Sequence, residues 1–134
     1  MKTKNVRLRQ KDLHKGKIIY IAHPKYGIET VRVVGKPHMV YHYSILGTDK
    51  PRQIGLFIDC VYLELFLGKP LPCHRSLHDM GIMDGKSCNF KRTFSSKKSA
   101  EAYIEQTKHC AHYQKYQKRH ESALEEMRIG MECY

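Results

Sequence analysis

Hydrophobic and polar positions alternate with a period of two at residues 6–9 and 38–46, and β-rich apolar runs lie between and after them, a pattern of strands rather than helices. Val6 and Leu8 oppose Arg7 and Arg9, which predicts a short edge strand with a basic outer face. Ile18 to Ala22 forms a β-rich run, and His23-Pro24-Lys25-Tyr26-Gly27 reads as a turn because proline fixes φ and glycine accepts positive φ. Ile28 to Val34 returns as a second strand, broken by Gly35-Lys36-Pro37. Residues 38–46 alternate most regularly: Met39, Tyr41, Tyr43 and Ile45 against His38, Val40, His42 and Ser44, which predicts a strand with one buried face. Residues 54–67 fit either a strand and a short helix or two strands. Residues 68–89 are rich in glycine and proline and read as loop, with Ser76 able to cap one helical turn through Met80. Phe90 to Phe94 reads as a last strand.

The pattern then changes to a helical one. Ser95 and Ser96 offer N-caps, and residues 99–128 contain neither glycine nor proline. A straight helix of that length would be about 45 Å long, wider than a compact domain of this size. Its apolar stripe also changes face. Ala100, Tyr103, Ile104, Thr107 and Ala111 lie on one side, and Tyr116, His120, Ala123, Leu124, Met127 and Met131 on the other. A bend near residues 112–116 is expected. The fold class is therefore α+β: a small antiparallel barrel or curled sheet, residues 1–94, followed by a helical element, residues 95–134.

Lys15-Gly16-Lys17-Ile18-Ile19-Tyr20-Ile21, the turn glycine Gly27 and Val31 to Gly35 resemble the small SH3-like barrels of KOW modules. The resemblance covers less than a third of the chain. It implies a barrel-like fold and an association with RNA, DNA or polymerase-bound partners.

Charge sharpens this picture. The 134 residues carry a net charge of +11, unevenly spread. Residues 1–20 hold +6, residues 21–55 +3, residues 56–85 −2 and residues 86–128 +5. Two basic ends flank an acidic, apolar middle, which suits a polyanionic partner. On the helix, Lys108, His112, Lys115 and Arg119 are spaced i, i+4, i+7, i+11 and so share one face, with Tyr113 and Tyr116 among them in sequence. Cations beside aromatic rings suit phosphates together with stacked bases. The same residues also fit an ordinary solvated helix face. Arg7, Arg9, Lys11, Lys15 and Lys17 would add to the field if folding brings the two segments together. The expected activity is non-catalytic binding of DNA or RNA, with docking on an acidic protein as the alternative. Leu124, Met127 and Met131 would support a homodimer.

Other chemistry is thinly represented. His74, His78 and Cys88 have partial zinc spacing, but no C-x-x-C completes a set, so no metal or cofactor is assigned. Asp59, Glu64, Asp79 and Asp84 could converge on a cation, yet each also fits a turn or surface role. No nucleotide, hydrolase or metalloprotease motif is present, so no catalytic residue is assigned. His38 and His42 share one strand face with Val40; they read as partly exposed sheet residues, with a pH-sensitive or metal role as the alternative. Five cysteines at unpaired spacing, with no apolar leader after the basic N-terminus, imply free thiols and a cytoplasmic location. No apolar window spans a membrane. A small basic chain of this kind resembles accessory proteins of phages or mobile elements.

Overall fold

A computed structural model describes residues 8–43, 50–64, 68–82 and 90–132, the side chains of 129–132 excepted. Six antiparallel strands form one curled sheet: β1 (Ile18–His23), β2 (Gly27–Val33), β3 (His38–His42), β4 (Arg52–Tyr62), β5 (Pro72–Ser76) and β6 (Arg92–Phe94). The path runs β3-β4-β2-β1-β6, and β5 also pairs with β4. Two helices follow, α1 (Lys97–Lys108) and α2 (Ala111–Glu132). The architecture is α+β, as the change of period implies.

The long β4 organises the sheet. Cys60 pairs with both Val33 and Cys73, and Phe57 with both His38 and Ser76. A strand has two edges, so β2 and β3 lie end to end along one edge and β5 takes the other. Between β2 and β3 the chain bulges at Val34–Pro37, which is where the sequence places its breaker. Further along, the register slips between Val40 and Tyr41, opposite Gly55 at φ 151°. That backbone region is essentially restricted to glycine.

Alternation gives the sheet two apolar faces. Ile19, Ile21, Val31, Val33, Ile58 and Cys60 point inward, where Leu8, Leu13, Leu77, Met80 and Ile82 close the core. Each such side chain contributes about 1.5–3 kcal/mol when fully buried. On the other face, Ala22 and Phe94 meet Ala100 of α1, with Tyr20, Ile28, Tyr103 and Ile104 around them. Buried polarity is answered locally: the Thr93 hydroxyl donates to the Met80 carbonyl at 2.8 Å. At the rim of the inner face, Arg75 donates to Glu29 and to the Tyr62 hydroxyl. Ser96 caps α1, its Oγ accepting the Ser99 amide at 3.2 Å.

Several sequence expectations are corrected. Of residues 54–67, 54–62 belong to one long strand that begins at Arg52, 63–64 form a bend, and 65–67 lie outside the described residues. The loop-rich region contains β5, a strand hidden by Pro70 and Pro72; Pro72 opens it, where no ladder donor is needed. Leu8 donates to the Thr93 carbonyl at 3.1 Å, but residues 8–9 form no strand and lead into a 3-10 turn, Gln10–Asp12. The alternating β3 does not bury a face. Met39, Tyr41 and Tyr43 are all exposed, the last by 67%, because this part of the hairpin extends past the region covered by α1 and the core loops. The helix breaks at His109–Cys110, earlier than the expected bend.

Candidate nucleic-acid interface

Phe90 positions the start of α2. Its carbonyl accepts the Tyr103 hydroxyl of α1 at 2.6 Å. Its ring lies 5.1 Å from Tyr113, 5.0 Å from Tyr116 and 5.6 Å from His112. This aromatic contact offers a physical reason for the helix to turn without glycine or proline. At the break, the Gln114 side-chain amide donates to the Lys108 carbonyl at 3.3 Å, and the Gln114 backbone amide reaches the Cys110 carbonyl at 3.0 Å. Carbonyls and amides at the two helix ends thereby gain partners.

The consequence is a basic, aromatic-floored surface. His112, Lys115, Tyr116 and Arg119 line a depression of about 190 Å³. These four lie within two turns of one helix, so they share a face without any help from α1. Tyr116 is 42% exposed and stacks on His120, with centroids 6.1 Å apart and planes within 7°. A neighbouring hollow of about 90 Å³ joins Tyr116 and His120 to His23, Lys25 and Tyr26 of the β1–β2 turn. Tyr26 is 70% exposed, and Lys25 Nζ sits 5.7 Å from its ring centroid. Among the described residues, no ion pair engages Lys108, Lys115 or Arg119.

The turn is held by an imidazole. His23 Nδ1 accepts the Lys25 amide at 3.0 Å and the Tyr26 amide at 3.4 Å. Burial, then the charges of Lys91 and Lys25, pushes the His23 pKa below its ordinary value. Both effects favour the neutral ring, which is the form able to accept at Nδ1.

The structure redistributes the residues expected from sequence. Tyr113 is only 4% exposed, and burial raises its pKa. Its ring fastens α2 to Phe90 and is not open for stacking. Lys108 ends α1, so it does not continue the ridge of His112, Lys115 and Arg119 across the break. Lys11 and Lys15 border a separate cleft of about 870 Å³, with His14 and Lys36. Arg9 precedes the 3-10 turn, where its amide donates to Asp12 Oδ2 at 2.9 Å. That hydrogen bond, aided by Lys17, Lys11 and Arg9, holds the Asp12 carboxyl below its usual range. Lys17 is half-buried at the start of the hairpin. Arg7 lies outside the described residues.

The two basic clusters do not form one contiguous patch. Lys15 and Lys36 flank one end of the β1–β2 hairpin, and Lys25 and Tyr26 form the other. The six residues of β1 separate them by roughly 20 Å at ~3.3 Å per residue. Sequence reading missed His23, Lys25, Tyr26 and Phe90 as parts of the surface. The turn signal was visible, but its closeness to α2 depends on the helix break.

Other candidates are also relocated. His78 is exposed in the turn after β5, and Cys88 lies outside the described residues. His74 meets His38 and Asp59 instead of His78. Asp84 lies outside the described residues, and among the described ones Asp59, Glu64 and Asp79 do not converge on a shared cation position. Leu124 and Met127 are exposed on the far part of α2, while the Met131 side chain is outside the description. Burial pushes the Cys60 thiol up to about 12 and raises that of Cys73. Among the described residues, no helix is long and apolar enough to cross a membrane.

A family described as Phage g100-like protein matches residues 7–107. No curated protein and no solved structure matches the chain.

Proposed function

This chain belongs to the phage g100-like protein family, and we propose that it is a non-catalytic, nucleic-acid-binding accessory protein. The observation that carries this reading is the depression on α2, where Lys115, Arg119 and His112 surround the half-exposed Tyr116 ring. Lysine and arginine release counterions when they neutralise phosphates, and an aromatic face stacks on a base of any sequence. Lys25 and Tyr26 extend that chemistry onto the β1–β2 turn. Lys11, Lys15 and Lys36 supply a second phosphate-binding locus, about 20 Å along β1 from the Lys25–Tyr26 turn and within reach of one extended strand or duplex. The KOW-like reading of the curled sheet agrees with this partner class.

An acidic protein partner is the second reading. It is favoured by the hairpin of β3 and β4, where Met39, Tyr41, Tyr43 and Ile54 are exposed beside Lys36, Lys50 and Arg52. Apolar groups ringed by cations suit an apolar centre with carboxylates around it. Fluorescence anisotropy with single- and double-stranded DNA and RNA at two salt concentrations distinguishes the two. Salt-sensitive binding that is weakened by Tyr116→Ala supports the nucleic-acid reading. Absence of binding to every oligonucleotide at low salt removes it.

A further inference from the structure

A different surface carries a second chemistry. On the outer face of the sheet, three adjacent strands bring His38 (β3), Asp59 (β4) and His74 (β5) together, and their ligand atoms all lie within 4.8 Å of one another. Strand register dictates the grouping. Asp59 stands directly opposite His74, and His38 stands opposite Phe57, two positions along β4 from Asp59. Residues two apart on a strand share a face, so all three side chains project from the same side. His38 and His74 start from strands flanking β4, about 10 Å apart by two inter-strand spacings. Their rings nevertheless lean over β4 until the centroids are 5.4 Å apart and the planes within 2°. Phe57 packs against His74 at 4.7 Å and backs that ring. His74 Nε2 is 3.8 Å from Asp59 Oδ1.

We propose that His38, Asp59 and His74 form a three-ligand site for a divalent transition-metal ion, with zinc the best-matched example. Two imidazole nitrogens and one carboxylate oxygen match borderline cations. Magnesium and calcium prefer all-oxygen shells, and softer sites draw on thiolates. At metal–ligand distances near 2.1 Å, tetrahedral ligands stand about 3.4 Å apart. The widest separation must close by up to about 1.4 Å, and the two parallel rings must turn so that both in-plane lone pairs meet one ion. Exposed side chains can do both by rotation without moving the strands, since surface rotamers exchange freely. Three protein ligands leave a coordination position to solvent, as in open zinc sites. The ion would also cross-link β3 to β5 over β4, at the base of the hairpin whose outer part is exposed. This site is distinct from the His74, His78 and Cys88 set that spacing alone brings to mind.

The test uses the untagged full-length chain after metal stripping. Cobalt(II) is titrated while its visible absorption bands are followed, and zinc is then added in competition. The expected result is one saturable equivalent displaced by one equivalent of zinc, with a higher melting temperature in zinc because the ion binds the folded state. His38→Gln, Asp59→Asn and His74→Gln should each weaken binding at least tenfold, and His78→Gln should leave it unchanged. All three ligands are exposed, and circular dichroism checks each variant's fold, so any two intact variants decide the matter. Failure to saturate at one equivalent, undiminished binding in His38→Gln and Asp59→Asn, or an equal loss in His78→Gln overturns the site. None of these outcomes depends on nucleic-acid binding.

Discussion

The ring of Phe90 meets the ring of Tyr113 nearly edge-on, with centroids 5.1 Å apart and planes at 78°. The same ring lies 5.0 Å from Tyr116, and exposure separates the two tyrosines, three residues apart on one helix: Tyr113 is 4% exposed and Tyr116 42%. Tyr113 is buried as an anchor against Phe90, and Tyr116 stays half-exposed beside Lys115 and Arg119.

Truncating the two tyrosines should therefore have different effects. Tyr113→Ala removes a buried ring and should cost about 3 kcal/mol of stability, the low end for buried aromatics. Tyr116→Ala should shift the melting temperature little and weaken oligonucleotide binding by about 1–3 kcal/mol, the range for one stacked base. Paired denaturation and anisotropy measurements check this. Equal effects of both variants on both readouts would contradict the assignment.

Gly81 is a position where backbone geometry excludes substitution. Its φ is +74°, and an added Cβ would press on the Lys91 carbonyl oxygen. Gly81→Ala combines left-handed strain with a backbone clash and should destabilise the fold by about 3 kcal/mol. Urea denaturation measures it directly.

Acidification should loosen the β1–β2 turn. The His23 pKa is lowered in the folded protein, so the folded state binds its proton less readily than the unfolded chain does. The stability held by neutral His23 is fully present above the unfolded value near 6.5. It falls as pH drops through that value toward the lower folded pKa. An NMR titration should place His23 below the ordinary histidine range, and the Lys25 and Tyr26 amides should lose exchange protection as it protonates. A His23 titration at or above the ordinary value would contradict this account.

Much of the strand plan was readable because alternation, Pro24, Gly27 and the Gly35-Lys36-Pro37 break each have a local physical cause. Ser96 was readable as a cap for the same reason. β5 was not, since Pro72 at its start, with Pro70 just before it, looks like a loop residue until β4 pairs with it. The exposure of Tyr41 and Tyr43 was also unreadable: alternation reports two faces, not what covers either of them. The helix break depends on Phe90 contacting Tyr113 from another element, so no local residue announces it. That break removes Lys108 from the ridge and brings Tyr26 to Tyr116. The expected single basic surface became two for a similar reason, because Lys15 and Lys25 lie at opposite ends of one strand pair.

The two basic loci should act independently. Lys11→Glu with Lys15→Glu should weaken binding to a long oligonucleotide, and its effect should add to that of changes on α2, as for sites well apart. On an oligonucleotide too short to span about 20 Å, only one locus engages, and additivity should vanish. Additive losses from both loci on such short substrates would place the two loci together.

The most direct measurement is the salt dependence of binding by the native chain and by Lys115→Glu/Arg119→Glu. Each phosphate contact contributes about −0.7 to −0.9 to the slope of log K against log salt. The native chain should show a steep negative slope, and the double variant should bind more weakly with a slope shallower by roughly 1.4–1.8. Unchanged affinity and slope in the double variant would contradict a phosphate-binding role for α2.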